Sequence, residues 1–240
     1  MNSQKKAKTL HQRKYRFLNN EFIIEGRRSI GSAIEANAEI TLLFYTTNFS
    51  ENNPDIMERV KNIPSEIISS KEINNISPSI TSSGILAICK ITKFQSYNKN
   101  KNIIFLDNIS DPGNLGTILR TAVWFGIDQI AYSSGSIDPY NPKVVRSAMG
   151  AHFNISWLGE LSLKEIKGYK ILGADHRGRS IESLNIDNQK WVLVMGSEPH
   201  GLSESSHPHL EELISIPKVG EGESLNIGVS MGILLYELTK

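Results

Sequence analysis

The chain has 240 residues, of which 39% are hydrophobic and 21% charged, and its formal net charge is +1. These proportions belong to a globular protein with a buried core and exclude the disordered and fibrous classes. No apolar run reaches the roughly 18 residues of a membrane span, and the polar N-terminus lacks the apolar stretch of a secretory signal, so the expectation is a cytoplasmic protein with no membrane partner.

Charge is unevenly placed. Residues 1–28 carry Lys5, Lys6, Lys8, Arg13, Lys14, Arg16, Arg27 and Arg28 against Glu21 and Glu25, a net of +6 that leaves −5 on the rest. With Tyr15 and Phe17 interleaved, this arm suits an RNA backbone, whose phosphates its cations would neutralise. The alternative is a frayed, solvated terminus. Phe22–Glu25 then reads as a strand, Ser29–Asn37 as a helix, and Ile40–Tyr45 as a strand. Pro54–Lys61 reads as a helix with proline at its start. Ile67–Ser69 and Ile85–Ile91 are further strands, and the second contains the only cysteine, Cys89. One cysteine excludes an intrachain disulfide and reads as a buried, inert thiol.

These elements predict a small α/β domain over residues 1–95, followed by a polar linker at 96–102. The pattern then changes. Ile103–Asp107, Gln129–Tyr132, Lys170–Ala174, Trp191–Met195 and Leu213–Ile216 are short, continuously apolar strands. Helical spacing separates them at Leu115–Phe125 and Pro142–Gly150, and Val229–Leu238 closes the chain. Apolar strands alternating with helices predict a parallel sheet covered on both faces over residues 103–240.

Ligands of such sheets bind at the carboxyl ends of the strands, and three loops occupy that position. The first is DNISDPGNLGTILR, Asp107–Arg120, where Pro112, Gly113 and Gly116 let backbone approach a ligand. Asn114 projects from its turn, and Arg120 can reach back toward a phosphate or ribose. It fits neither the dinucleotide nor the P-loop fingerprint. The second loop is VMGSEPHGLS, Val194–Ser203. Met195 and Gly196 end the strand there, Glu198 sits in the turn, and Ser203 suits a helix N-cap. His200, His207 and His209 lie nearby, but His-Pro-His is a poor chelating pattern, so no metal site is expected. The third loop is IPKVGEGESLNIGVSMGILLYE, Ile216–Glu237. Ser224 and Asn226 flank Leu225 at a helix start, where either alone reads equally well as a cap.

Taken in order, NLGTILRTAVWFG, VMGSEPHGLS and IPKVGEGESLNIGVSMGILLYE resemble the SpoU (TrmH) family of RNA 2′-O-ribose methyltransferases, within the SPOUT superfamily. The resemblance spans about Asn102 to Lys240. It implies a C-terminal α/β domain with a trefoil knot, an exception to the usual absence of knots. It also implies S-adenosylmethionine as cofactor, held near Met195, Gly196, Ile216 and Leu225. Arg120, Asn114, Glu198, Ser224 and Asn226 are the implied catalytic set, in an active site formed by a homodimer. A looser likeness, in FIIEGRRSIGSAIEAN and SSGILAICKI, implies a ribosomal-protein-like substrate-binding domain ahead of it. Gly228 departs from the serine or alanine of many relatives. The absence of a C-terminal helical extension favours ribosomal RNA over transfer RNA as substrate. A transfer-RNA methyltransferase, a base methyltransferase on the same scaffold and a non-catalytic RNA-binding or ribosome-assembly protein are the alternatives. The proton acceptor stays open, since arginine normally keeps its proton.

Overall fold

The computed structural model describes residues 2–186 and 189–240, in two compact units. The first runs to Thr92 and also takes in Asp138–Asn154; the second is Lys93–Ile137 with Ile155–Lys240. In chain order, the elements up to Thr92 are α1 (Ser3–Thr9), α2 (Arg13–Asn19), β1 (Glu21–Glu25), α3 (Arg27–Glu35), β2 (Ile40–Tyr45), α4 (Thr47–Asn52), α5 (Pro54–Val60), β3 (Ser65–Ile67), α6 (Ser70–Ile76) and β4 (Ile85–Lys90). Those that follow are β5 (Ile103–Leu106), α7 (Pro112–Trp124), β6 (Gln129–Tyr132), α8 (Pro142–Ala148), β7 (Ser156–Glu160), β8 (Lys170–Ser180), β9 (Trp191–Met195), β10 (Glu212–Ser215) and α9 (Ile227–Leu238).

In the first unit a four-stranded sheet runs β1-β4-β2-β3. Its pairings are antiparallel except β2 with β3. Ile23, Phe44, Leu86 and Ile88 from the strands pack with Ile73 and Ile76 of α6. The basic arm, for which a frayed terminus was one reading, is helical. Asn2 caps α1 by accepting from the Gln4 amide, and Ala7 and Leu10 are fully buried in the core. Arg16, counted among the arm's candidate RNA contacts, is also buried. Its Nε and Nη2 donate to Asp138 Oδ2 at 2.9 and 2.5 Å, and its Nη1 donates to the carbonyls of Leu10 and His11. That fork of satisfied donors removes Arg16 from any surface role and fastens Asp138–Asn154 to α2. The sequence reading had placed that segment, α8 included, in the second domain.

The second unit is built on a six-stranded sheet in the order β10-β8-β9-β5-β6-β7, with every neighbouring pair parallel. β5, β6 and β9 are buried along their whole length, which is why they read as continuous apolar runs. Ile103, Phe105, Leu158, Ile166, Val192 and Val194 form its core. The expected linker is bound to this sheet. Gln129 Oε1 accepts from the Asn98 amide at 2.5 Å, and Gln129 Nε2 donates to the Asn98 carbonyl at 3.1 Å.

His152 makes the first unit sensitive to pH. It is fully enclosed, its Nε2 lies 2.6 Å from the Pro139 carbonyl, and burial pushes its pKa down to about 4. The folded state therefore holds His152 neutral, while an unfolded chain takes up a proton below about pH 6.5. Stability contributed by the neutral ring is complete above pH 6.5 and is lost as pH falls toward 4. Between pH 7 and 5 the loss should be about 2 kcal/mol. Urea midpoints measured at both pH values should show this fall in the wild type and much less of it in His152→Gln; equal pH dependence of the two proteins would refute the assignment.

Candidate functional site

Because the six strands run parallel, the loops leaving β5, β9 and β10 emerge on one edge of the sheet. Local chemistry fixes each of them. Asp111 caps α7, with Oδ1 accepting from the Asn114 amide at 2.7 Å, and Pro112 fills the first turn. After β9 the chain folds back on itself. The Ser197 amide donates to the Gly201 carbonyl at 2.9 Å, and the Gly201 amide returns a bond to the Ser197 carbonyl at 2.8 Å. A Cβ on Gly196 would lie 2.3 Å from the Gly201 carbonyl carbon, so only glycine permits this closure.

Asn226 joins the three loops. Its Oδ1 accepts from the amides of Gly228 and Val229, capping α9. Its Nδ2 donates to Asn114 Oδ1 and to Glu198 Oε1, each at 2.9 Å. Asn114, Glu198 and Asn226 are thus brought into one cluster from positions 112 and 28 residues apart. A narrow cleft lies beside it, lined by Asp111, Asn114, Ser197, Glu198 and Ile227.

The other expected residues fall around this cluster in different ways. Arg120 is exposed on α7 and makes no hydrogen bond or ion pair among the described residues, so its guanidinium is free to meet a ligand. Ser224 is exposed in the loop before α9, and Leu225 is half exposed there. Ile216 is partly buried at the end of β10. The Met195 side chain is core, and its carbonyl accepts from the Asp107 amide at 2.9 Å. Ser203 does not cap a helix; its amide donates to Asp107 Oδ2 at 2.8 Å. Asp107 and Asp111 were not singled out from the sequence. The Asp-Pro-Gly run at 111–113 carried a signal for Asp111, as an N-cap ahead of a first-turn proline. Nothing local marks Asp107, whose partner lies 96 residues away. The three histidines take no part in a metal-binding group; none of three or more His, Cys, Asp or Glu occurs among the described residues.

Gly228 has a steric reason. α7 and α9 pack together, and a Cβ at Gly228 would stand 2.7 Å from Thr117 Cγ2. Threonine is stiff at χ1, and its Oγ1 is also held by the Gly113 carbonyl at 3.0 Å. Overpacking here costs about 1–3 kcal/mol, more than the ~1 kcal/mol gained by replacing a helical glycine with alanine. Gly228→Ala should lower the melting temperature in wild-type background and raise it in Thr117→Ser, where the clashing methyl is gone. A melting temperature raised by Gly228→Ala in both backgrounds would remove the clash from the explanation.

Comparison with known proteins divides the chain once, between residues 87 and 101, and leaves Asp138–Asn154 within the second match. Residues 101–236 match the SpoU rRNA Methylase family, and residues 2–87 match the MRM3-like substrate binding domain. The 23S rRNA (guanosine(2553)-2′-O)-methyltransferase RlmP of Bacillus subtilis is 28% identical over 239 residues, covering 96% of this chain and 93% of its own. A TrmH-family protein from Porphyromonas gingivalis has a similar structure, with a TM-score of 0.86 and 26% identity over 99% of this chain and 97% of that one. The AdoMet-bound rRNA methyltransferase of Sinorhizobium meliloti gives a TM-score of 0.84 over 98% and 92% of the two chains; at 24% identity this likeness speaks for the fold alone.

Proposed function

The chain belongs to the SpoU rRNA Methylase family, and from that premise we propose that it methylates a ribose 2′-hydroxyl in ribosomal RNA with S-adenosylmethionine as donor. The observation that carries the reading is the Asn114–Glu198–Asn226 cluster, which draws the three loops together at the carboxyl edge of the parallel sheet.

The residues fit this cofactor. Gly196 and Gly201 keep side chains out of the β9 turn, leaving backbone available to an adenine edge, while Ile216 and Leu225 offer apolar surface. When bound, S-adenosylmethionine supplies a methyl group on a cationic sulfur, so transfer leaves a neutral thioether. The chain's task is then mostly positioning, which can lower the barrier by several kcal/mol. In this reading Arg120 holds the phosphate or ribose of the target nucleotide, an office for which a planar, forked cation is suited. Asn114 is aligned by Asn226, and Glu198 keeps the β9 turn in register with α9. Ser224 stands in the exposed loop and would contact substrate. Arg120→Ala should abolish transfer of labelled methyl to RNA from cells lacking the protein, with S-adenosylmethionine affinity kept within about threefold. Nucleoside analysis of the wild-type product should return a 2′-O-methylated nucleoside; a methylated base would overturn the ribose reading, and wild-type turnover by Arg120→Ala would overturn the role given to that residue.

RNA is engaged in this reading by the first unit as well. With Arg16 buried and Lys6 paired with Glu21, the exposed cations of α1 and α2 are Lys5, Lys8, Arg13 and Lys14. Replacing these four by glutamine should weaken RNA binding and flatten its salt dependence. The slope of log affinity against log salt should shrink by about 3–3.5, at roughly 0.7–0.9 for each of four phosphate contacts. An unchanged slope would remove the arm from the interface.

The active enzyme is, in this reading, a homodimer. Val229, Ile233 and Tyr236 share one face of α9 at i, i+4 and i+7, and all three are exposed, as is Trp124 at the end of α7. Sedimentation should find twice the 26.8 kDa chain mass for the wild type and the monomer for Val229→Lys. A monomeric wild type at micromolar concentration would exclude this arrangement.

A further inference from the structure

The second unit has another concavity, whose lining shares no residue with the Asn114–Glu198–Asn226 cluster. Its volume is about 370 Å³, within the usual range for small-ligand sites. It lies at the carboxyl ends of β5, β6 and β7, a position at which open α/β sheets bind ligands. Leu161 and Leu163 give it apolar surface, and Ser133, Ser162 and Ser206 give it hydroxyls. Asp107, Glu160 and Glu165 contribute three carboxylates, and no lysine, arginine or histidine among the described residues lines it.

Asp107 carries the argument. It is only 1% exposed. Its Oδ2 accepts from the Ser203 amide, but Oδ1 has no hydrogen-bond partner among the described residues. A buried carboxylate oxygen without a donor is costly, and a ligand that brings an N–H relieves that cost. The surrounding charge says which kind of ligand. Anions are repelled by three carboxylates with no compensating base. A single metal ion does not fit either, since no three such groups among the described residues are placed to share one. Carboxylates spread around a cavity are matched by cationic groups that are also spread, and the leucines favour methylenes between them.

We propose that this cavity binds an aliphatic cation of the polyamine type, two or more ammonium or guanidinium groups joined by methylene chains. One cationic group donates to Asp107 and another meets Glu160 or Glu165. The same chemistry is presented by a free polyamine and by neighbouring basic side chains of a protein tail. Calorimetric titration of the full chain with spermidine, and separately with a short Lys-Arg peptide amide, separates the two sources. The experiment belongs at about 50 mM salt, where surface attraction is not fully screened, with Mg²⁺ as the control for unspecific cation binding.

The expected result is one saturable site for at least one of the two probes. Its affinity should fall about tenfold or more in Asp107→Asn and a few-fold in Glu160→Gln. Glu204→Gln, an exposed acid outside the lining, should leave it unchanged. Tighter binding of spermidine assigns a free polyamine, and tighter binding of the peptide assigns a protein tail. Because Asp107 also holds Ser203, Glu160→Gln is the variant that keeps the test independent of loop damage. Absence of saturable binding by both probes, equal competition by Mg²⁺, or an affinity unmoved by both Asp107→Asn and Glu160→Gln overturns the proposal.

Discussion

A single side-chain amide organises the candidate site. Asn226 spends its oxygen on the first turn of α9 and its two N–H groups on Asn114 and Glu198. Those partners stand at the start of α7 and in the turn after β9. The amide therefore ties two helix starts and one strand end into a common frame. It can do so only because the sheet is parallel throughout, which puts the relevant loops on one edge. Without that topology, residues spaced 112 positions apart would have no reason to meet. A donor pair held in a fixed fork is also a geometric specification. Aspartate at this position would lose both donors and set a carboxylate against Glu198.

Where the sequence was informative, one physical signal was strong. β5, β6 and β9 are buried on both faces, so nearly every residue in them is apolar and their limits can be read within a residue or so. α7 and α9 were legible from spacing, and they begin three and two residues earlier than that spacing shows. In α7 the added residues follow the Asp111 cap and Pro112; in α9 they follow the Asn226 cap. α1, α2 and α6 have seven residues each, too few for periodicity alone to mark them, and they lack the first-turn proline that starts the equally short α5 and α8. Ser69 and Glu72 did spell a capping box at the start of α6. β7 was hidden for another reason. Its sequence, SWLGE, contains Gly159 at φ +87°, against which the Phe94 ring packs within 3 Å of where a Cβ would stand. A glycine there looks like a strand breaker until the ring that requires it is seen. At the site, motif order marked Asn114, Glu198 and Asn226, while the bonds between them depend on tertiary geometry that no local pattern encodes.

Asp107 shows how one buried charge can serve two neighbourhoods. Through Oδ2 it fixes Ser203 and hence the far end of the turn that carries Glu198. Through the rest of its carboxylate it lines the acidic cavity. Occupancy of that cavity and the posture of the β9 turn are therefore joined by one residue. Any linkage between them must be reciprocal, since a ligand that prefers one posture is itself preferred by it.

The discontinuity of the first unit bears on how the chain is made. Its sheet is complete by Lys90, but Arg16 has no counter-charge until Asp138 has been synthesised, and the unit closes only with Asn154. At about 5–20 residues per second, the interval between Thr92 and Asn154 lasts roughly 3–12 s on the ribosome. During that time the nascent sheet must carry an unneutralised arginine and an uncovered flank. The order of translation thus places β5, α7 and β6 outside the tunnel before the first unit can close, so the second unit is begun before the first is closed and is completed only when α9 has followed.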